Sequence, residues 1–163
     1  MKYLPIILVL ITTITSDSLR RRSTIYIGSD DSLEKIYINE NELDISELEN
    51  KDDYSKVKKL EVTLFNYDEI QFEVTNKNEL SNYDNAGLAV KIEYKDQYGK
   101  EKNLYTNLDD WECNGEKPID KRTISKSHYP TWNENGLDDV KVIWANGNPK
   151  SAVCRFVVPK IQE

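Results

Sequence analysis

Two groups of side chains in this chain have the types and spacing that bind sugars. Sugar recognition uses an aromatic ring against the apolar face of a pyranose, with carboxylates or amides nearby to hydrogen-bond its hydroxyl groups. One group combines Trp111 with Asp109 and Asp110. The other lies in a stretch without regular periodicity and consists of Tyr129, Trp132, Asn133 and Asn135. We favour the second group, because rings in loops are exposed more often than rings in strands, and Trp111 lies inside a strand pattern. The predicted ligand-binding residues are Tyr129, Trp132, Asn133, Asn135, Asp109 and Asp110.

Paired aspartates are candidate ligands for a structural calcium ion. Calcium takes roughly six to eight oxygen ligands, often from carboxylates and backbone carbonyls in irregular loops. The candidates are Asp30, Asp31, Asp138 and Asp139, and none of them has the spacing of an EF-hand loop. Aspartate is also a favoured residue in turns, so these pairs are better explained as loop-forming residues. We therefore predict no cofactor other than this possible calcium.

The only two cysteines, Cys113 and Cys154, are predicted to form a disulfide bond. The two lie far apart in sequence, each beside apolar or strand-like residues, and an even cysteine count favours such a pair. In the loop-closure description, this bond removes unfolded-state entropy equivalent to about 4 kcal/mol. Two alternatives stay open: a metal site, for which the single histidine His128 is the only further nitrogen ligand, and a catalytic couple of His128 with one cysteine.

Charge and motifs exclude several classes of function. The formal net charge is −7, with 31% charged residues, which disfavours binding to nucleic-acid phosphates and to anionic membrane surfaces. The chain has no G-x-S-x-G, no H-E-x-x-H and no phosphate-binding loop. Among 29 acidic residues some carboxylate pair can always be nominated, so acid pairs are no evidence for a glycosidase. We predict a protein that is not an enzyme and has no catalytic residues.

The N-terminus has the pattern of a secretory signal peptide. Lys2 precedes an apolar run, and small residues at Thr15 and Ser16 suit cleavage. We predict a signal peptide over residues 1–16, a basic tail over 17–23 and one β-sandwich domain over 24–160. The basic run 20–22 is either a protease processing site or a solvated charged segment. The expected location is extracellular, without insertion in a membrane.

Short strands dominate the predicted secondary structure. Most alternate apolar and polar residues, the period-two pattern of a half-buried strand, as Leu60, Val62 and Leu64 do. The segment 33–39 alternates least cleanly. We predict strands at 24–27, 33–39, 59–65, 69–75, 86–94, 102–106, 110–113, 140–145 and 152–158.

The segments between the strands suggest how the strands are connected. A short polar connection over 66–69 suits a hairpin between the strands on either side of it, and turn residues at 96–99 suit another. Residues 44–59 are predicted as a long polar connection with one turn of helix at most, at 46–50, and residues 114–139 as the longest loop. Many short strands separated by turns predict an all-β protein, an antiparallel β-sandwich.

Seven short segments follow one another along the chain: Asp30-Asp31-Ser32, Ile36-Tyr37-Ile38-Asn39, Val74-Thr75-Asn76, Asn85-Ala86-Gly87-Leu88, Leu108-Asp109-Asp110-Trp111, Val142-Ile143-Trp144 and Cys154-Arg155-Phe156. Their order resembles that in the galactose-binding-like β-sandwich modules of secreted and cell-surface proteins, which have a jelly-roll fold. The resemblance covers roughly residues 25–159. The resemblance implies core packing for Trp111 and Trp144. The family includes sugar-binding modules of glycosidases as well as domains without a known ligand. Fold analogy alone supports function only weakly.

Together these features predict a secreted, non-catalytic binding module for glycans of a cell surface or extracellular matrix, with a role in cell adhesion. The alternative is a structural component that assembles with itself or with extracellular partner proteins into a layer or filament. A third possibility is a granule protein that condenses with calcium.

Overall fold

The computed structural model describes residues 20–77, 86–121, 132, 134–137 and 140–160. Within these residues the chain forms two antiparallel β-sheets, one of six strands and one of five. The sheets pack face to face as a sandwich, a layout compatible with a jelly roll. The predicted all-β antiparallel sandwich is therefore confirmed.

The six-stranded sheet, called sheet A, has β4 (Lys58–Leu64) at one edge and β9 (Ile119–Asp120) at the other, with β6 (Gly87–Lys95) inside the sheet. A further strand, β7 (Glu101–Tyr105), pairs with β6 as a hairpin. The remaining strands, in spatial order, are β4 (Lys58–Leu64), β1 (Arg21–Asp30), β6 (Gly87–Lys95), β10 (Ile143–Trp144) and β9 (Ile119–Asp120).

The five-stranded sheet, called sheet B, faces sheet A across the core. Its long strands lie in the middle and its short strands lie at the edges. In spatial order the strands are β3 (Asn41–Glu42), β2 (Ser32–Ile38), β5 (Glu69–Thr75), β11 (Ser151–Val157) and β8 (Trp111–Cys113).

Alternation along the strands builds the core between the sheets. In β11 the side chains of Ala152, Cys154 and Phe156 are buried, while those of Val153 and Arg155 point to solvent. Burying one large apolar side chain contributes about 1.5–3 kcal/mol, so such strands are held mainly by their inner faces. The largest fully buried apolar side chains are Trp144, Phe72, Ile25, Ile27, Leu33, Ile36, Ile70, Leu88, Ile92, Ile143 and Val74.

One predicted hairpin is confirmed and the other is wrong. Strands β6 and β7 pair through a turn in which Gly99 has a φ of 77°. In contrast, β4 pairs with β1 in sheet A, whereas β5 lies between β2 and β11 in sheet B. The turn between β4 and β5 is tight, because Asp68 accepts a hydrogen bond from the Phe65 N–H and Tyr67 adopts a φ of 68°. This turn carries the chain from one sheet to the other, so the apolar sides of both strands face the core.

The uneven alternation of 33–39 has a local cause. The pairing of β2 with β5 shifts register between Leu33 and Lys35, which is a β-bulge. Because the bulge adds a residue, Leu33 and Ile36 both reach the core although they are three positions apart. In the following connection, Leu48 donates its N–H to the Ile45 carbonyl in an isolated turn, and no helix forms at 46–50.

Strand β1 begins at Arg21, earlier than the predicted start at Thr24. The Arg21 side chain is buried, donates a hydrogen bond to the Asn66 side chain at 3.0 Å and lies over the Tyr94 ring. Two arginines of the basic run thus form part of sheet A, since Arg22 pairs opposite Thr63 of β4.

Candidate binding cleft

A cleft of about 210 Å³ opens at one side of the sandwich, between the end of β7 and the end of β11. We call it the β7–β11 cleft. Its walls are apolar and its rim carries an amide and a carboxylate. The lining residues are Leu104, Tyr105, Asn107, Asp110, Phe156, Val157 and Pro159.

The turn between β7 and β8 fixes the polar rim of this cleft. The Asn107 side-chain oxygen accepts hydrogen bonds from the backbone N–H groups of Asp109 and Asp110, both at 2.8 Å. The Asn107 amide nitrogen donates to Oδ2 of Asp110 at 2.9 Å. Asn107 therefore shapes the turn and orients the Asp110 carboxylate. Among the described residues, no hydrogen bond occupies the second carboxylate oxygen of Asp110, which can accept one from a ligand.

Trp111 lies behind the cleft and contacts both of its walls, the end of β7 and the end of β11. Its ring stacks against Phe156 with centroids 5.2 Å apart and against Phe72 at 5.8 Å. Its indole N–H donates to the Tyr105 carbonyl at 3.2 Å. The side chain is only 2% exposed, so Trp111 supports the cleft and does not offer a ring to a ligand. Core packing of Trp111 and of the fully buried Trp144 agrees with what the family resemblance implied.

The predicted disulfide is present and joins β8 covalently to β11, which forms one wall of the cleft. Cys113 of β8 and Cys154 of β11 lie directly opposite each other in the pairing, and both are fully buried. On the outer face the next pair joins Arg155 to Glu112 through two hydrogen bonds, at 2.6 and 2.9 Å. With both cysteines bonded, the alternative of a cysteine nucleophile beside His128 has no thiol.

Asp109 and Asp110 have different environments although they are neighbours. Asp109 lies outside the cleft, has an 86% exposed side chain and pairs with Lys117 at 3.1 Å. Asp110 lines the cleft. The lining residues include no lysine or arginine. The cleft therefore suits a ligand that donates hydrogen bonds and carries no negative charge.

The expectation that Trp132 is exposed is wrong. Its side chain is only 4% exposed and packs with Ala89, Leu137 and Val140 on the outer face of sheet A. Its indole N–H donates to the Tyr54 carbonyl at 3.3 Å. The small residues Gly28 and Ala89 leave room on this face for the ring.

The other members of the Trp132 group do not form a site in the described residues. Asn135 is half-buried beside the turn at Gly136, and it is not part of the β7–β11 cleft. Tyr129 and Asn133 lie outside the described residues, as does His128.

The candidate calcium ligands Asp30 and Asp31 are buried. Asp31 accepts a hydrogen bond from the Lys77 N–H at 2.7 Å. Asp138 and Asp139 lie outside the described residues. Over the described part of the chain, no three acidic, histidine or cysteine side chains are grouped so that they could hold a metal ion.

A buried lysine near these aspartates was not predicted. Lys58 of β4 is fully buried and donates to the Asp53 carbonyl at 2.9 Å and to the Ser29 carbonyl at 3.5 Å. Desolvation lowers the pKa of Lys58 to about 8, although the nearby carboxylates of Asp53 and Asp30 oppose this shift. The sequence of β4 contains a sign of this burial, because Lys58 lies two and four positions before Leu60 and Val62 and so on the same, inward-facing side of the strand.

Comparisons with models of known protein families, with curated proteins and with solved structures find no match for this chain. Over the described residues, none of its helical segments has the length and apolar character to span a bilayer.

Proposed function

We propose that this protein is a secreted, non-catalytic binding module of the galactose-binding-like type, which holds one sugar ring of a cell-surface or matrix glycan in the β7–β11 cleft. The observation that carries the proposal is the Asp110 carboxylate, oriented by Asn107 at the rim of an otherwise apolar cleft. A carboxylate oxygen with a free lone pair accepts hydrogen bonds from hydroxyl groups, and charge-assisted bonds of this kind are the stronger ones.

The walls of the cleft suit the other side of a sugar ring. A pyranose has an apolar face made of C–H groups, which packs against rings and aliphatic side chains. Tyr105, which is 43% exposed, provides such a surface beside the carboxylate together with Leu104 and Pro159. Clefts for drug-sized ligands usually measure about 300–1,000 Å³, so a smaller cleft suits a single ring rather than an extended chain.

Secretion is supported by two independent features. The sequence starts with a signal-peptide pattern, and the structure contains a disulfide between two buried cysteines. Disulfides persist mainly in oxidising compartments, where glycans of cells and matrix are accessible to the protein.

A glycan array tests the proposal with a matched pair of variants. We expect retention of the wild-type protein on a subset of neutral glycans and loss of that retention in Asp110→Ala. Asp109→Ala is the control, because it removes the neighbouring carboxylate outside the cleft. A lost charge-assisted hydrogen bond costs about 1.5–3 kcal/mol, which corresponds to roughly 10- to 100-fold weaker binding.

Calorimetric titration with the monosaccharide at the end of the best glycan then locates the site. We expect binding by wild type and Asp109→Ala and a large loss in Asp110→Ala, with unchanged thermal unfolding in both variants. Equal retention of the two variants, or no retention of the wild type on any glycan, would rule the proposal out.

A further inference from the structure

Within the described residues, strand β4 is the longest uncovered edge of the sandwich. It pairs with β1 along its whole length, from Lys58 opposite Ile27 to Leu64 opposite Arg21. In the described part of the chain, no strand pairs with its other edge and no backbone hydrogen bond from a loop reaches it. Such an edge presents a row of N–H and C=O groups that can pair with another strand.

The other edges are short or covered. Tyr105, at the end of β7, already accepts hydrogen bonds from the side chains of Trp111 and Asn107. In β8, Cys113 forms a bridge with Glu116. Strands β3 and β9 have only two residues each. An extended segment therefore has its longest free template along β4.

The side chains of β4 also leave the edge incompletely buried. Lys59 and Glu61 point outward and are exposed. Leu60 and Val62 point toward the core but are only half-buried, because none of the described strands lies beside them on this edge. A partner strand would cover this apolar surface.

We propose that two copies of this chain associate through β4, antiparallel, with Leu60 of one copy opposite Leu60 of the other. In this register Lys59 lies opposite Glu61 of the partner copy, and Glu61 opposite its Lys59. Opposite charges on directly opposed residues of an antiparallel pair are favourable, and like charges are unfavourable. The two-fold symmetry forms both charge pairs at once and buries the two Leu60 side chains together.

The neighbouring register is disfavoured by the same rule. Centring the pair on Glu61 would place the two Glu61 carboxylates opposite each other, and Lys59 would then face Thr63 without a charged partner. A shift of the pairing by one residue would place the outward side chains of one copy beside the inward side chains of the other. Acceptable registers therefore differ by two residues. The register centred on Glu61 is the nearest such alternative toward the C-terminal end of β4.

Sedimentation equilibrium over a series of concentrations tests the proposal on the purified protein with its disulfide formed. We expect the average mass of the wild type to rise from that of the monomer toward twice that value. Glu61→Lys and Lys59→Glu each place like charges opposite each other twice, so each should weaken association about tenfold or more. Glu40→Lys is the control, since it makes the same charge change at the exposed tip of the β2–β3 turn.

An equimolar mixture of the two β4 variants gives the decisive result. The Lys59→Glu chain has a glutamate at both positions and the Glu61→Lys chain has a lysine at both. The two chains therefore complement each other in the Leu60-centred register, and the mixture should associate as strongly as the wild type.

The folded state of each variant is checked separately. The circular dichroism spectra of both variants should match the wild type, because the substituted side chains are exposed. At concentrations where the wild type is monomeric, Glu61→Lys should also match its unfolding temperature, whereas Lys59→Glu loses the contact of Lys59 with the Tyr26 ring at 5.7 Å and should unfold at a slightly lower temperature. A wild type that stays monomeric at all concentrations overturns the proposal. Unchanged association of Lys59→Glu, or a mixture that stays monomeric, overturns the register.

Discussion

Lys58 shows how a single residue in a strand can contradict the apolar rule of the core. Its ammonium group has two backbone carbonyl acceptors, those of Asp53 and Ser29, while the buried Ser29 hydroxyl has no partner in the described residues. Burial lowers the pKa of Lys58 from 10.5 to about 8. The folded state therefore releases this proton at lower pH than the unfolded state does.

The sign of the resulting pH dependence follows from proton counting. Below pH 8 both states hold the proton, and the cost of burying the charge is fully present. Between pH 8 and 10.5 the unfolded state holds more protons, so the stability of the wild type should rise with pH. From about pH 7 to pH 10 the expected gain is about 2 kcal/mol.

Urea unfolding of wild type and Lys58→Met at a series of pH values up to about 10 measures this gain. We expect the unfolding free energy of the wild type, minus that of Lys58→Met, to increase as the pH rises from about 8 to about 10. The comparison removes the contribution of Tyr26 and Tyr94, because burial raises the pKa of these tyrosines equally in both proteins. Two parallel curves would show that Lys58 is not buried as a titrating group.

Gly28 is a second residue whose role is set by one contact. A Cβ atom at this position would lie 2.6–2.8 Å from ring atoms of Trp132. We expect Gly28→Ala to lower the free energy of unfolding by about 1–3 kcal/mol, as overpacking of a filled site does. The measurement is chemical unfolding of the single variants and of the double variant.

The double variant separates the steric cause from other effects. In the background of Trp132→Leu the clash is absent, so Gly28→Ala should cost much less there than in the wild type. Equal costs in both backgrounds would mean that the Trp132 ring does not pack over Gly28.

At the scale of elements, the sequence predicted most strands because burial on one face leaves a period-two pattern. β5 and β11 alternate cleanly and were located within a residue of their ends. The placement of β4 and β5 in different sheets could not be predicted, because the pattern shows which face of a strand is buried but not which sheet the strand joins. The bulge in β2 could not be predicted either, because it places Leu33 and Ile36 on the same face and so breaks the period-two pattern.

The candidate site was only partly predictable for the same reason. Asp110 and the disulfide carry local signals, a turn-forming run and an even cysteine count. Tyr105 and Phe156 belong to different sheets and meet only through the fold, with Trp111 between them. Gly28 lies just beyond the predicted strand 24–27, and only the observed extent of β1 to Asp30 places it inside a strand, where a glycine indicates that another group packs closely.

The disulfide that links β8 to β11 should contribute measurably to the stability of the fold. Cys113 and Cys154 close a loop over a sequence separation of 41 residues, for which the loop-closure description gives about 4 kcal/mol. We expect the double variant Cys113→Ala/Cys154→Ala to lose roughly that free energy of unfolding, together with a contribution from the small cavity. Guanidinium unfolding of oxidised wild type, reduced wild type and the double variant measures it. A loss below about 1 kcal/mol would show that strand pairing alone holds β8 on β11.

At the scale of the whole molecule, the two proposals place the cleft and the self-association surface on opposite sides of sheet A. β4 forms one edge, and β7 pairs beyond β6 toward the other. A dimer formed through β4 therefore leaves both β7–β11 clefts open. Two linked sites bind a dense array of ligands much more tightly than one site does, provided that the geometry lets both engage.

This arrangement predicts a density dependence that distinguishes the dimer from the single site. On a surface with dense glycans we expect the wild type to dissociate at least about tenfold more slowly than Glu61→Lys, and on a sparse surface the two should dissociate alike. Their affinities for the free monosaccharide should be equal, because Glu61 is remote from the cleft. Surface plasmon resonance at several ligand densities, with Glu40→Lys as the charge-matched control, measures these rates. If wild type and Glu61→Lys dissociate alike at every density while the wild type is dimeric in solution, the two clefts cannot reach one surface together, and the dimer serves a purpose other than multivalent binding.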